Sequence, residues 1–208
     1  MGATLRRYTE IPYVIDLLQT RALVLVNPKA WDDRNDSFYI EQYARSVGLR
    51  RTYALCLTEA PETYHHWRVF SHGSGGACIT FDKEKLIKYA AKIKGLRAES
   101  VRYRTIAQLR RKPPATEDLP FLKRHAYTDE HEFRLFYGST KKKAEPTVRM
   151  PVPLSAIERI TLSPWLPRSV ALQVKGTLKA IKGCGGLEIY RSTLVENDVW
   201  KGFADNGA

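Results

Sequence analysis

The fold and the candidate functional site both depend on residues 130–137, which read EHEFRLFY. Side chains alternate between the two faces of a strand, so Phe133, Leu135 and Tyr137 suit a core on one face. Glu130, Glu132 and Arg134 would share the other face, with neighbouring Cβ atoms about 7 Å apart. We therefore predict a strand over 130–137. Its charged face either lines a functional site or faces water, and the pattern alone leaves both interpretations open.

Outside this stretch, short apolar runs predict strands and apolar residues at helical spacing predict helices. The clearest are strands at 22–26, 51–57 and 77–81 and helices at 83–94 and 168–181. Because strands and helices do not alternate strictly, we predict an α+β fold whose central mixed or antiparallel sheet is flanked by helices. We expect a single domain over residues 1–197 and a flexible polar tail over 198–208.

Composition is typical of a globular protein, with 43% apolar and 27% charged residues. The three cysteines, Cys56, Cys78 and Cys184, lie in apolar or glycine-rich surroundings. They suit buried free thiols in a reducing compartment, with a catalytic cysteine as the alternative. Residues 1–9 contain no apolar core of signal-peptide length, and no stretch approaches the roughly 18 apolar residues of a membrane span. We expect a cytoplasmic protein without a membrane partner, and the sequence leaves the oligomeric state open.

Positive charge dominates the chain, with a net charge of +12, and it is unevenly distributed. Residues 82–124 contain 13 Lys and Arg against 5 Asp and Glu. Such a surface favours a nucleic-acid partner, because neutralised phosphates release counterions, but a solvated basic surface gives the same pattern. The candidate nucleic-acid-binding residues are Lys85, Lys88, Lys92, Lys123, Arg124, Lys141, Lys142 and Lys143.

An acidic turn follows Trp31 and contains Asp32, Asp33 and Asp36. Clustered carboxylates can bind a hard cation, or they can cap the helix that we predict after them. His65 and the histidine after it would point about 100° apart on a helix, so we predict no zinc site there.

Several motifs occur in an order that resembles a widespread bacterial family known as a domain of unknown function. The motifs are Trp31-Asp32-Asp33-x-x-Asp36, Leu55-Cys56-Leu57-Thr58, His66-Trp67-x-x-Phe70-Ser71, Gly76-x-x-Ile79-x-Phe81, Lys123-Arg124 and Glu130-x-Glu132-x-Arg134. The resemblance covers most of the chain from Leu5 to Tyr190.

A more distant likeness connects the chain to ADP-ribosyltransferases. A basic residue on the first strand (Arg6 or Arg7), a serine beside a central strand and a later Glu-x-Glu strand are similar to the layout of that fold. The likeness implies that Glu132 stabilises the reacting ribose of NAD and that Glu130 orients the acceptor. It implies a cofactor-binding set that we assign to Arg7, Tyr8, Trp67, Ser71 and Arg134.

Three functions follow as hypotheses. The first is an NAD-using ADP-ribosyltransferase-like domain that acts on a nucleic-acid or protein acceptor. The second is a nuclease that gathers Asp32, Asp36, Glu130 and Glu132 around Mg²⁺ or Mn²⁺. The third is a non-enzymatic nucleic-acid-binding module that uses the basic surface.

Overall fold

The structure is a computed structural model and describes residues 3–142 and 145–205. Its strands are β1 (Thr4–Glu10), β2 (Ala22–Leu25), β3 (Arg51–Thr58), β4 (Gly76–Asp82), β5 (Leu96–Ser100), β6 (Arg102–Arg104), β7 (Leu122–Arg124), β8 (Glu132–Ser139), β9 (Val148–Pro151), β10 (Ile157–Leu162) and β11 (Glu188–Arg191). Its helices are α1 (Ile11–Thr20), α2 (Arg34–Ser46), α3 (Tyr64–Phe70), α4 (Lys83–Ala90), α5 (Ile106–Arg111), α6 (Arg168–Ala180) and α7 (Asp198–Asp205).

A central sheet holds the fold together, and its strand order in the described residues is β11-β10-β4-β1-β3-β8-β5. Neighbouring strands are antiparallel, except that β10 and β11 run parallel. Two short ribbons, β2-β9 and β6-β7, lie outside this sheet. The predicted α+β class, with a mixed sheet and flanking helices, is confirmed.

The sheet has one apolar face and one mixed face. Phe133 and Leu135 of β8 join the main core, which α1 and α4 cover with residues such as Leu18 and Leu86. Because side chains alternate along a strand, Arg134 lies on the opposite face. On that face α2 packs through Ile40, and α3 packs Trp67 against β1 and β4.

Polar side chains set where the helices on the mixed face begin. The Asp33 carboxylate accepts hydrogen bonds from the backbone N–H groups of Asn35 and Asp36 and caps α2. Thr63 caps α3 in the same way by accepting from the N–H of His66. Each cap satisfies a donor that the first helical turn leaves unpaired.

The sheet splits between β1 and β3. In the described residues these strands pair at one position, Arg6 opposite Thr58, whereas β1 pairs with β4 along its full length. Across the gap, Nη1 of Arg7 donates to the carbonyl oxygen of Cys56 at 2.9 Å. This split opens a cleft between the two strands.

Two sequence-based boundaries were wrong. The predicted strand 130–137 begins at Glu132, because 125–130 forms a 3₁₀ helix that ends at His131 in the left-handed region, with a φ of 42°. Helix α4 ends at Ala90, and β5, which the sequence did not predict, follows it. The predicted tail begins with α7, and its flexibility stays a prediction. None of the helices in 3–142 and 145–205 has the length and apolar character to cross a membrane.

Candidate active site

A cleft of about 610 Å³ opens where β1 and β3 separate. Its volume lies within the roughly 300–1,000 Å³ that is typical of small-molecule sites. Glu130, Glu132 and Arg7 all line it, together with the acidic turn. The other lining residues are Arg6, Tyr8, Thr9, Glu10, Tyr13, Trp31, Cys56, Leu57, Thr58, Val69, Phe70, His72, Lys123 and Tyr127.

Arg134 organises the inner wall of the cleft from behind. Its Nη1 and Nη2 donate to the two carboxylate oxygens of Asp36 at 2.8 and 2.6 Å. Its Nε and Nη2 donate to Oε1 and Oε2 of Glu132 at 2.7 and 3.0 Å. Arg134 is fully buried. Its hydrogen bonds hold the two carboxylates in place, and the carboxylates hold its guanidinium in place. Paired contacts of this kind orient planar groups strongly.

Lys123 is the second cation of the cluster. Its Nζ lies 2.5 Å from Oε2 of Glu130, 3.3 Å from Oε2 of Glu132 and 3.9 Å from Oδ2 of Asp36. The Lys123 side chain is 9% exposed. We call Asp36, Lys123, Glu130, Glu132 and Arg134 the ionic cluster. Its three carboxylates can lie close together because two cationic side chains separate them.

Electrostatics separates the two glutamates. Burial alone would raise the pKa of Glu132, but Arg134 and Lys123 lower it to about 2. Burial raises the pKa of Glu130 above its usual value, although Lys123 opposes the shift. Two carboxyls whose pKa values move in opposite directions are suited to different chemical roles. Glu132 is a permanent anion at neutral pH, and Glu130 holds a proton more readily.

A hydrogen-bonded anchor holds the turn before β8. Oγ1 of Thr58 donates to the carbonyl oxygen of Glu130 at 2.6 Å, and Nε2 of His66 lies 3.3 Å from the same oxygen. The His66 ring is stacked on Tyr8. Burial lowers the pKa of His66, so the neutral ring serves as a hydrogen-bonding strut. The anchor ties Glu130 to β3 and to α3.

Arg7 brings a partly buried positive charge to the cleft. Desolvation lowers its pKa, and the nearby Cys56 and Glu132 only partly offset that effect. Aromatic side chains wall the space around it. Tyr13 and Phe70 are exposed, and Trp31 covers Arg134 with its ring centroid 5.0 Å from the guanidinium carbon. A cation between aromatic walls suits a ligand that carries phosphates and flat rings.

Two buried side-chain oxygens of the described residues have no hydrogen-bond partner, Oη of Tyr8 and Oδ2 of Asp33. Both residues line the cleft. Burying a polar atom without a partner costs about 1–3 kcal/mol. Orphaned polar atoms of this kind are typical of a site that binds a polar ligand or water.

Comparison with known proteins gives a structural likeness only. No family model matches the chain, and no curated protein matches it. DarT of Thermus sp. 2.9 in complex with ADP-ribosylated ssDNA is similar, with a TM-score of 0.47 and 11% identity over 92% of this chain and 94% of that chain. The same DarT in complex with carba-NAD⁺ and with NAD⁺ matches with TM-scores of 0.47, at 12% and 11% identity, over 92% of this chain and 96% of each of theirs. At these TM-scores the likeness carries no functional argument, and the resemblance to the bacterial domain family stays a prediction.

The structure brings together part of the predicted cofactor-binding set. Arg7 and Tyr8 line the cleft. Arg134 does not line it, because it is buried behind Glu132 and Asp36. Trp67 is fully buried and donates from Nε1 to Glu62 at 2.7 Å. Ser71 is also buried, and its Oγ donates to the carbonyl oxygen of Trp67 at 2.7 Å. Arg134, Trp67 and Ser71 therefore support the wall of the cleft from behind, and their assignment to cofactor binding stays a prediction.

The acidic turn serves one of its two predicted purposes, which is to cap the helix that follows it. Asp33 caps α2 and Asp36 pairs with Arg134, while Asp32 lines the cleft. Lys123 and Arg134 pair with the carboxylates of the hypothetical nuclease site, so the geometry does not support a divalent cation among them, and the metal-dependent nuclease stays a prediction. The described residues contain no group of three or more His, Cys, Asp or Glu arranged to bind a metal.

The predicted nucleic-acid-binding residues do not form one surface. Lys123 belongs to the ionic cluster, which corrects its assignment to a basic surface. Arg124, next to it, is exposed, as are Lys141 and Lys142. Lys143 lies outside the described residues. The exposed residues Lys85 and Lys88 are on α4 and Lys92 follows its end, and α4 packs on the apolar face of the sheet, away from the cleft.

Sequence reasoning missed the functional position of Lys123, Trp31 and Tyr127. The Nζ of Lys123 lies 4.8 Å from the centroid of the Tyr127 ring, so both residues line the same wall. The order of the motifs contained a signal. Trp31 directly precedes the acidic turn, and Lys123 comes shortly before the Glu-x-Glu segment. Cys56 lines the floor of the cleft, and burial together with Glu132 raises its pKa, so it stays a protonated thiol and a poor nucleophile.

Proposed function

We propose that the chain is an ADP-ribosyltransferase-like enzyme that binds NAD in the cleft and transfers its ADP-ribosyl group to an acceptor. One observation carries the proposal: Arg7 and the two glutamates, which are distant in sequence, line the same cleft. The volume, the partly buried cation of Arg7 and the aromatic walls fit a dinucleotide with a pyrophosphate and two ring systems. NAD is a substrate in this account.

Glu132 has the properties required at the reacting ribose. When the bond between ribose C1′ and the nicotinamide nitrogen breaks, nicotinamide leaves with the electron pair and positive charge develops on the ribose. A carboxylate that stays ionised stabilises this charge, as in glycoside hydrolysis. Arg134 holds Glu132 in place, so no reorganisation is needed during the reaction.

In this proposal Glu130 receives the proton of the acceptor. The acceptor nucleophile forms the new bond to C1′, and its proton passes to Glu130, whose raised pKa suits a general base. Arg7 holds the pyrophosphate, whose negative charge would stabilise the guanidinium that burial has deprived of water. Tyr13, Phe70 and Trp31 provide surfaces for the flat rings.

The direct test is ligand binding, measured as the shift in melting temperature with NAD and, separately, with Mn²⁺. Saturation at 100 times the dissociation constant stabilises a protein by about 2.7 kcal/mol. We expect NAD to raise the melting temperature and Mn²⁺ to leave it unchanged. The Arg7→Ala variant should lose the NAD shift. A shift with Mn²⁺ alone would favour the nuclease, and a shift with neither would remove both enzymatic hypotheses.

The two glutamates are distinguished by product analysis. The Glu130→Gln variant should lose transfer to an acceptor while retaining slow release of nicotinamide to water, because water needs less positioning than a bulky acceptor. Equal loss of both reactions would contradict the separate role of Glu130.

A further inference from the structure

A second groove, of about 200 Å³, lies beside the cleft between α2 and the segment that carries α5. Asp33, Asp36 and Lys123 line both spaces, so one end of the groove is at the ionic cluster. Arg104 and Arg124 line the rest of it, together with apolar side chains. The cleft and the groove therefore form neighbouring compartments on the same side of the molecule.

Arg104 and Arg124 are cross-strand neighbours in the parallel β6-β7 ribbon. Like charges at paired positions destabilise a sheet unless an anion lies between them. Both side chains are exposed, and in the described residues neither forms an ion pair. On α4, by contrast, Lys85 lies 3.0 Å from Asp82. The ribbon thus presents two guanidinium groups that have no ion-pair partner among the residues that the structure describes.

The surrounding segment strengthens this field. Residues 102–124 contain seven Lys and Arg against two Asp and Glu. Arg110 and Arg111 are in the last turn of α5, and among the described residues neither forms an ion pair. Ile106 is 55% exposed and the Tyr39 ring is half-buried beside it in the groove. Phosphate-binding cations next to apolar and aromatic surface are the combination that proteins use to bind single-stranded nucleic acids.

We propose that this groove is the acceptor site and that it binds single-stranded nucleic acid, with backbone phosphates on Arg104 and Arg124 and a base against Tyr39 and Ile106. The inference rests on the proposed function and specifies its acceptor. A strand in this position leads to Lys123 and Glu130, where the transfer would occur. The interface therefore lies on the β6-β7 ribbon and α5, and not on the α4 stripe that the sequence suggested.

Fluorescence anisotropy tests the site in the absence of NAD, with a labelled oligonucleotide of roughly 12 nucleotides and the full chain. The Arg104→Ala/Arg124→Ala variant should bind about tenfold more weakly, and the slope of log K against log salt should fall by about 1.4, or about 0.7 for each phosphate that is no longer neutralised. The matched control, Lys85→Ala/Lys88→Ala, removes the same charge from the opposite face and should stay within about twofold of the wild type. DNA and RNA of the same sequence distinguish the two sources of the strand.

Three outcomes would overturn the proposal. The control variant alone could bind more weakly, both variants could bind equally more weakly, or both could bind as tightly as the wild type. Groove-dependent binding of a polyglutamate peptide without binding of oligonucleotides would also overturn it and would indicate an acidic protein partner. Because this assay contains no NAD, failed transfer with intact strand binding would count against the enzyme and not against the groove. Undiminished transfer by Arg104→Ala/Arg124→Ala would count against the groove alone.

Discussion

The two faces of β8 are buried to the same extent but are built from opposite chemistry. Leu135 and Arg134 are both fully buried, and Phe133 and Glu132 are 2% and 3% exposed. One face forms the apolar core, and the other holds charges that had to be removed from water. Apolar burial accounts for stability directly, whereas buried ion pairs often contribute little net stability compared with apolar replacements. The comparison indicates that the apolar face maintains the fold and that the ionic face maintains a site.

The largest expected effect comes from removing the central cation of that ionic face. Arg134→Met leaves Asp36 and Glu132 buried without their main partner, which should lower the free energy of unfolding by about 3–5 kcal/mol in urea denaturation. Leu135→Ala on the other face should cost about 2–5 kcal/mol through poorer packing.

A combined variant sharpens this comparison. Arg134→Met together with Asp36→Leu and Glu132→Met leaves no unpaired charge among these three positions and should recover most of the stability that the single variant lacks, without recovering any activity. If Arg134→Met alone lowers the free energy of unfolding by less than about 1 kcal/mol, the cluster is solvated and not buried.

Acid should affect the two faces differently. The pKa of Glu132 is lowered from 4.5 to about 2, so its contribution to stability is complete above pH 4.5 and is lost as the pH falls through 2. The raised pKa values of Asp36 and Glu130 act in the opposite direction and reduce the total slope. Urea unfolding of the wild type should therefore lose more stability from pH 4.5 to 2 than unfolding of Glu132→Gln. Identical slopes would refute the lowered pKa.

Ser71 tests the boundary between the cleft and its support. Ser71→Ala removes the hydrogen bond to the Trp67 carbonyl and should lower stability by about 1 kcal/mol. Because Ser71 does not line the cleft, NAD affinity measured by calorimetry should not change. A substantial decrease in NAD affinity at unchanged stability would indicate that Ser71 contributes directly to NAD binding.

The smallest effect concerns the exposed arginine pair. Arg104→Ala/Arg124→Ala removes cross-strand repulsion and should raise the free energy of unfolding by at most about 0.2–1 kcal/mol. The melting temperature should therefore be equal to or slightly above that of the wild type. A clear decrease would show that the pair holds the ribbon together. In that case the weakened strand binding of the same variant would no longer report on contact with phosphates.

Local patterns predicted most of the sheet, because alternation and apolar runs encode which face of a strand is buried. Glu132 and Arg134 were placed on the correct face of β8 for this reason. The position of Glu130 before the strand was not predictable from alternation, since His131 adopts a left-handed conformation, and contacts from Thr58 and His66 hold the Glu130 carbonyl next to it.

The site depended on long-range pairing that local patterns do not contain. Asp36 and Arg134 are 98 residues apart in the sequence, and their contact requires α2 to pack across β3 and β8. Lys123 was interpreted as surface charge because composition does not distinguish a buried cation from a solvated one. The split between β1 and β3, which creates the cleft, has no signature in either strand.

The central claim is that Glu132 acts on NAD in this cleft, and chromatographic measurement of nicotinamide release tests it most directly. Wild type and Glu132→Gln should be compared with single-stranded DNA as the acceptor, after calorimetry has shown that both bind NAD. We predict that Glu132→Gln releases nicotinamide about 100–1,000 times more slowly while its NAD affinity stays within a few-fold of the wild type. Equal rates in the two proteins, or no release by the wild type when NAD is bound, would contradict the account.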